Sequence, residues 1–340
     1  MKNRPITYSK NIFIPVTNVC RNKCAYCGFR RPAEHKDAFL MTEEEIIPVL
    51  KRGAAAGCTE AMFAFGESPE QNPEFMKRFG KQLNDAGFKT VIEYTEHLCR
   101  LTLDYGMLPH VNGGVLSFDE LKRLAPLNAS MGLMLETTAD VLAHKDCPGK
   151  IPAARLEMIE NAGKLKMPFT TGLLIGIGET RNDWIESLQA IQKLHGKYGH
   201  IQEIILQNYT PNSGQENSTR ELKAPTKADM IDLILLTKNT LTPDITIQVA
   251  PNLMSPLELI QYGVTDLGGI SPVTIDYINP ESAWPKIEEL RNLLSSKGYE
   301  FKERLPVHPQ YVKKGWYGAD TKELIEKLAD ADGYRKTDGL

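Results

Sequence analysis

Cys20, Cys24 and Cys27 stand close together in the run Asn18-Val-Cys-Arg-Asn-Lys-Cys-Ala-Tyr-Cys27. The spacing C-x3-C-x2-C offers three sulfur ligands and stops there. A structural zinc site normally closes with a fourth protein ligand, and a ferredoxin-type iron–sulfur centre uses four cysteines. Three thiolates on a [4Fe–4S] cube leave one iron open to a substrate or cosubstrate. Blander readings compete with this one. Cysteine is often a small buried hydrophobe, which suits Cys58, Cys99 and Cys147 but not a trio set among Asn, Arg and Lys. Disulfides are disfavoured in a long chain with six cysteines and no signal-like N-terminal segment. Zinc would need His35 as its fourth ligand.

Such a trio has to be held by a frame. The 340 residues, 41% hydrophobic and 24% charged, are enough for a large buried core. A net charge of −3 argues against a nucleic-acid footprint. No apolar run approaches a membrane span, so a cytoplasmic location is expected. Short apolar runs alternate with helical patterns. Strands are expected at 12–16, 60–65, 108–116, 130–135, 169–177, 203–207, 246–249 and 267–272. Helices are expected at 73–86, 91–103, 118–124, 153–165, 182–195, 227–240, 256–262 and 284–296. One more starts at Thr42, where Thr42-Glu-Glu-Glu45 forms a capping box. Eight alternating units predict an α/β fold, a (β/α)8 TIM-type barrel of one domain. Its core would span about 11–297, with a short N-terminal extension and a C-terminal one over 298–340. That last stretch holds an extended segment and a helix at 321–329, packed over one end of the barrel. Active-site residues should then follow the C-terminal ends of the strands, where the cysteines already lie.

With Tyr26 before the last cysteine and Phe29 after it, the cysteine run resembles that of the radical S-adenosylmethionine (SAM) superfamily. The resemblance implies one [4Fe–4S] cluster per chain, with SAM chelating the open iron. Gly66 and Glu67 resemble the second and third residues of the superfamily's Gly-Gly-Glu element, which contacts the methionine amino group; Phe65 replaces its first glycine. Glu136, after the fourth strand, matches an acidic residue that holds ribose hydroxyls in biotin-synthase-like relatives. Arg155 matches an arginine that pairs with the SAM carboxylate. Gly172, Leu174 and Gly176, with Glu179, resemble the GxIxGxxE strand that lies against adenine. Tyr26 belongs to the same cofactor set.

Longer runs narrow the family. They include 11–20, 105–114, 129–136, 168–180, Gln248-Val-Ala-Pro-Asn-Leu253 and Asp266-Leu-Gly-Gly-Ile-Ser-Pro-Val-Thr274. Together they resemble the CofG-type subunit of deazaflavin (FO) synthase over about residues 11–312. The resemblance implies an ammonia-releasing lyase of coenzyme F420 biosynthesis. Its substrate would be the hydroxybenzyl adduct of 5-amino-6-(ribitylamino)uracil, made by a companion tyrosine-condensing subunit. Its electron donor would be a flavodoxin or ferredoxin. The strand ends offer a polar, largely uncharged set suited to that adduct. Asn208, Asn252 and Asp266 are expected to bind it, and His110 to transfer a proton. Biotin-synthase-like or hydrogenase-maturation enzymes are the alternatives within the superfamily, and a zinc-binding scaffold is the alternative outside enzymes.

Overall fold

The structure is a computed structural model that describes residues 4–211 and 222–336; residues 1–3 and 337–340 of the expected extensions lie outside the described residues. In chain order the elements are β1 (Ile6–Ile14), α1 (Glu43–Ala55), β2 (Glu60–Ala64), α2 (Pro73–Asp85), α3 (Val91–Asp104) and β3 (Leu108–Asn112). Next come α4 (Phe118–Leu124), β4 (Ser130–Gly132), α5 (Pro152–Lys164), β5 (Phe169–Ile175), α6 (Arg181–Tyr198), β6 (Ile201–Asn208) and α7 (Lys227–Thr240). Last are β7 (Thr246–Gln248), α8 (Leu257–Ile260), β8 (Asp266–Ile270), α9 (Ile287–Ser295), β9 (Phe301–Arg304), α10 (Pro309–Lys314) and α11 (Lys322–Leu328). Parallel pairings run from β1 through β8 and return to β1, closing the expected barrel.

Local sequence explains the helix starts. Capping boxes at Thr42/Glu45, Ser117/Glu120, Thr180/Asp183 and Thr226/Asp229 satisfy orphan N–H groups at the heads of α1, α4, α6 and α7. The long connection between β2 and β3 holds two helices, as the pattern predicts.

Two differences bear on function. The first strand begins at Ile6 rather than at residue 12, because β9 pairs in parallel with Ile6–Ser9. Tyr8 stacks on Phe301 at a centroid distance of 4.3 Å outside the barrel. The alternate positions Thr7 and Ser9 face a polar interior, so the segment lacks the apolar run that sequence reading looks for. The second difference is α10, which was not expected.

The C-terminal extension closes the N-terminal end of the barrel. Leu305, Val307, Tyr311, Ile325 and Leu328 form an apolar cluster with Leu108 and Ala129, at the starts of β3 and β4. Just inside this plug lies a polar layer. Arg304 bonds Asp266 through Nε at 2.6 Å and Nη2 at 2.8 Å, and Glu203 through Nη2 at 3.1 Å. Thr7 bonds Asp266, Thr170 bonds Glu203, and His308 approaches Thr246 and Glu203. Burial pushes the Glu60 carboxyl up to about 7, against the charge of Arg304.

Candidate active site

At the opposite end, a cavity of about 340 Å³ opens where the strands finish. Its walls include Cys20, Cys24, Cys27, Tyr26, Gly66, Glu67, Glu136, Arg155, Leu174 and Asn208, which the sequence had singled out.

The cysteine loop leaves β1 and is pinned at its base. Thr17 bridges Leu40, Val19 bridges Arg31, and the Asn18 amide bonds the Asp37 carbonyl and the Phe39 N–H. Backbone N–H groups then turn toward sulfur. Asn22 and Glu67 donate to Cys20 Sγ at 3.4 and 3.2 Å, and Arg30 donates to Cys27 Sγ at 3.4 Å. Such bonds stabilise anionic sulfur and tune cluster potentials. Burial pushes the Cys20 thiol up to about 11 and also raises Cys27. Cys24 is lowered to about 6, first by a hydrogen bond from Cys147 and then, against burial, by the charge of Lys150.

The spread of the sulfurs tests what they could hold. The three do not all lie within 4.8 Å of one another. A tetrahedral zinc with bonds of ~2.3 Å keeps its sulfurs about 3.8 Å apart, a tighter set than this trio forms. His35 turns away as well, its Nδ1 accepting the Asp37 N–H at 3.1 Å.

Beside the cysteines, Glu136 sits in a cage of donors. Tyr26 and Lys150 bond its carboxylate, His144 Nε2 stands at 3.0 Å and Arg155 Nη2 at 3.6 Å. Burial alone would raise this carboxyl, but Lys150, Arg155 and His144 hold it well below the usual carboxylate range. The Glu136 backbone is left-handed at φ 68°, an uncommon conformation for a residue with a Cβ. Two ladder bonds to β5 fix it: Glu136 N–H to the Gly172 carbonyl at 2.8 Å, and Leu174 N–H to the Glu136 carbonyl at 3.1 Å. Arg155, 3% exposed, is locked by the carbonyls of Met134 at 2.6 Å and Gly149 at 2.7 Å.

Glu67 also lines the cavity, its carboxylate held by Arg21 Nη2 at 2.6 Å and the Val115 N–H at 2.8 Å. Gly66 is a packing requirement, since a Cβ there would sit 1.9 Å from the Val19 carbonyl oxygen. Gly172 and Gly176 do not line the cavity. A side chain on Gly172 would strike the Ile205 carbonyl and Met134, and one on Gly176, at φ +100°, would meet the Lys223 carbonyl at 2.2 Å. Glu179 instead caps the Gly176 and Ile177 N–H groups, both at 2.8 Å.

Two of the expected substrate contacts and the expected proton-transfer residue also lie elsewhere. Asp266 opens β8 rather than following it, so it falls in the polar layer at the base, bound to Arg304. His110 lies in the same layer. The Ser130 hydroxyl donates to the Pro306 carbonyl at 2.8 Å and so accepts from His110 Nδ1 at 2.8 Å. Burial and then the charge of Arg304 push His110 down to about 3, which keeps it neutral. Asn252 stands behind the wall, holding Asp276 at 2.9 Å and the Ser282 carbonyl at 3.0 Å; Asp276 itself lines the cavity. Asn208 alone of the three expected substrate residues reaches it.

Sequence reading missed Lys150 and His144, both on the loop after Glu136; Cys147 on the same loop is buried, as expected. Asn22 bonds the Gly149 N–H at 2.8 Å, and a Cβ on Gly149 would meet Glu67 Oε1 at 1.7 Å. A cluster of His, Cys, Pro, Gly and Lys within 144–150 was the available signal.

Residues 14–191 match the model of the radical SAM superfamily. The chain is 56% identical to the 7,8-didemethyl-8-hydroxy-5-deazariboflavin synthase of Methanosarcina barkeri, covering 97% of this chain and 99% of that protein. It is 42% identical to the synthase of the same name from Methanopyrus kandleri, covering 97% and 100%. Among solved structures, the hydrogenase maturase HydG of Carboxydothermus hydrogenoformans superposes with a TM-score of 0.70 at 17% identity, covering 95% of this chain and 78% of that one. Methylornithine synthase (PylB) superposes at 0.64 and 16%, covering 87% and 83%; both likenesses concern the fold. The cysteine loop, the caged Glu136 and the full-length relatives agree: the chain belongs to the radical SAM superfamily and, within it, to the 7,8-didemethyl-8-hydroxy-5-deazariboflavin synthase family.

Proposed function

We propose that this chain carries out the ring-closing half of FO synthesis. The reading takes the hydroxybenzyl adduct of 5-amino-6-(ribitylamino)uracil as substrate, with loss of ammonia, and a companion subunit and a flavodoxin or ferredoxin as suppliers of adduct and electrons. One observation carries it: three thiols and a cation-ringed carboxylate share a cavity with a wall of uncharged amides. Cys20, Cys24 and Cys27 would hold one [4Fe–4S] cluster, with an iron left for SAM. When bound, cluster and SAM supply the 5′-deoxyadenosyl radical that removes a hydrogen atom from the adduct.

The chain's residues do the rest. Lys150 and Arg155 offer positive charge to the SAM carboxylate, and Glu136 accepts from ribose hydroxyls or the ammonium. Tyr26 and Leu174 give the nucleoside apolar surface. Asn112, Gln207 and Asn208 face the heterocycle and its polyol from the ends of β3 and β6. This reading gives His110, bonded to Ser130 below the cavity, no part in proton transfer.

The test is anaerobic incubation of reconstituted protein with SAM, dithionite and the adduct. Fluorescent FO with 5′-deoxyadenosine is the expected result. Deoxyadenosine without FO would overturn the substrate assignment and leave the superfamily chemistry standing.

A further inference from the structure

Two side-chain amides lie against a pair of adjacent glycines beside the cavity. Asn11 comes from β1 and Gln248 from β7, the strands that flank β8. Between them β8 carries Gly268-Gly269. A Cβ on Gly269 would sit 2.2 Å from Asn11 Nδ2, and one on Gly268 would sit 2.2 Å from Gln248 Nε2. The glycine pair therefore makes room for both amides, and both line the cavity.

Among the described residues, neither side-chain amide is held by a hydrogen bond to the protein. Asn11 is 1% exposed, yet its Oδ1 has no hydrogen-bond partner among the described residues. Leaving a buried acceptor unmade is costly, and native interiors rarely tolerate it. Trp284 Nε1, a buried donor on the same cavity, is also unpartnered among the described residues. An orphan acceptor and an orphan donor carried by side chains that line one cavity fit a flat ligand with both kinds of group on its edge.

Resting on the functional reading above, we propose that Asn11 and Gln248 recognise the imide edge of the substrate's pyrimidinedione ring. Asn11 Oδ1 accepts the ring N–H and Gln248 bonds a flanking carbonyl. A site built to bond an N–H rejects an analogue that lacks it, because its own polar group is then left unpaired.

The probe is FO itself, titrated by fluorescence into the cluster-loaded protein, alongside FO methylated at the imide nitrogen. Wild type should bind FO about ten- to a hundredfold more tightly than the methylated form. Asn11→Leu should lose most of that discrimination and keep or raise Tm, since it deletes an orphaned buried acceptor. Gln248→Leu should weaken FO binding independently, which keeps the idea testable if Asn11→Leu folds poorly. If wild type forms and binds FO while both variants bind and discriminate as wild type does, this inference falls alone. If wild type does not make FO from the adduct, the substrate assignment fails and this inference with it.

Discussion

At the mouth of the barrel a carboxylate is ringed by cations; at its base a guanidinium is ringed by carboxylates. Glu136 faces Lys150, Arg155 and His144, while Arg304 faces Asp266 and Glu203. Both sets are buried, but they differ in what they leave open. Arg304 is 3% exposed and directs Nε, Nη1 and Nη2 to protein oxygens, so the base is a closed account of charge. At the mouth, Glu136, Lys150 and Arg155 all line the cavity, and their charge can meet a charged ligand. The base closes on itself while the mouth opens its charge to the cavity, matching the division of stability and site usual for this fold.

Four experiments would break or sharpen that contrast. The largest effect belongs to the cysteines: Cys20→Ala, Cys24→Ala or Cys27→Ala should abolish cluster assembly, read as iron and sulfide per chain after anaerobic reconstitution. Full iron loading of any of the three variants would remove that residue from the ligand set. Next is the base. Arg304→Met strands two buried carboxylates and should cost about 3–5 kcal/mol of stability in urea unfolding. Asp266→Asn should likewise lower stability, and a shift in KM for the adduct with stability intact would return Asp266 to the substrate wall.

The third experiment moves to the mouth. Lys150→Ala should weaken SAM binding about ten- to a hundredfold, measured by equilibrium dialysis, with a smaller loss of stability than Arg304→Met. An unchanged SAM affinity would show that the cationic ring serves Glu136 alone.

The smallest effect concerns pH. The His110 pKa falls to about 3 in the fold against ~6.5 unfolded. The unfolded chain therefore takes up a proton that the folded chain refuses. This lowers stability as pH falls through 6.5 toward 3. At pH 5.5 the loss is about 1 kcal/mol, and His110→Gln should remove it relative to pH 7.5. A pH dependence identical to wild type would mean that His110 charges freely inside the fold.

The contrast also explains what the sequence disclosed. The cysteine spacing, the Thr42 capping box and the helices at 118–124 and 227–240 are local signals, and they stand where expected. Asp266 and His110 were misplaced for a common reason: a strand's residues divide between base and mouth, and composition does not say where the division falls. Asp266 is the first residue of β8 and His110 the middle residue of β3, whereas Asn112, two positions on, reaches the cavity. Lys150 and His144 lie on an aperiodic loop, and only the fold brings them to Glu136. Ile6–Lys10 alternates polar residues inward, because its partners are Arg304 and Asp266 rather than an apolar core.

The pairing of Ile6 with Phe301 sets an order of events during synthesis. The two residues are 295 apart in sequence (301 − 6), and such distant contacts form late and slowly. The first strand cannot acquire its full complement of neighbours until the ribosome has delivered residue 304. The cysteine loop emerges hundreds of residues earlier. A nascent chain thus displays the three thiols of the cysteine loop while the barrel is still unsealed at its far end, and protection of those thiols from oxygen falls to the cell rather than to the fold.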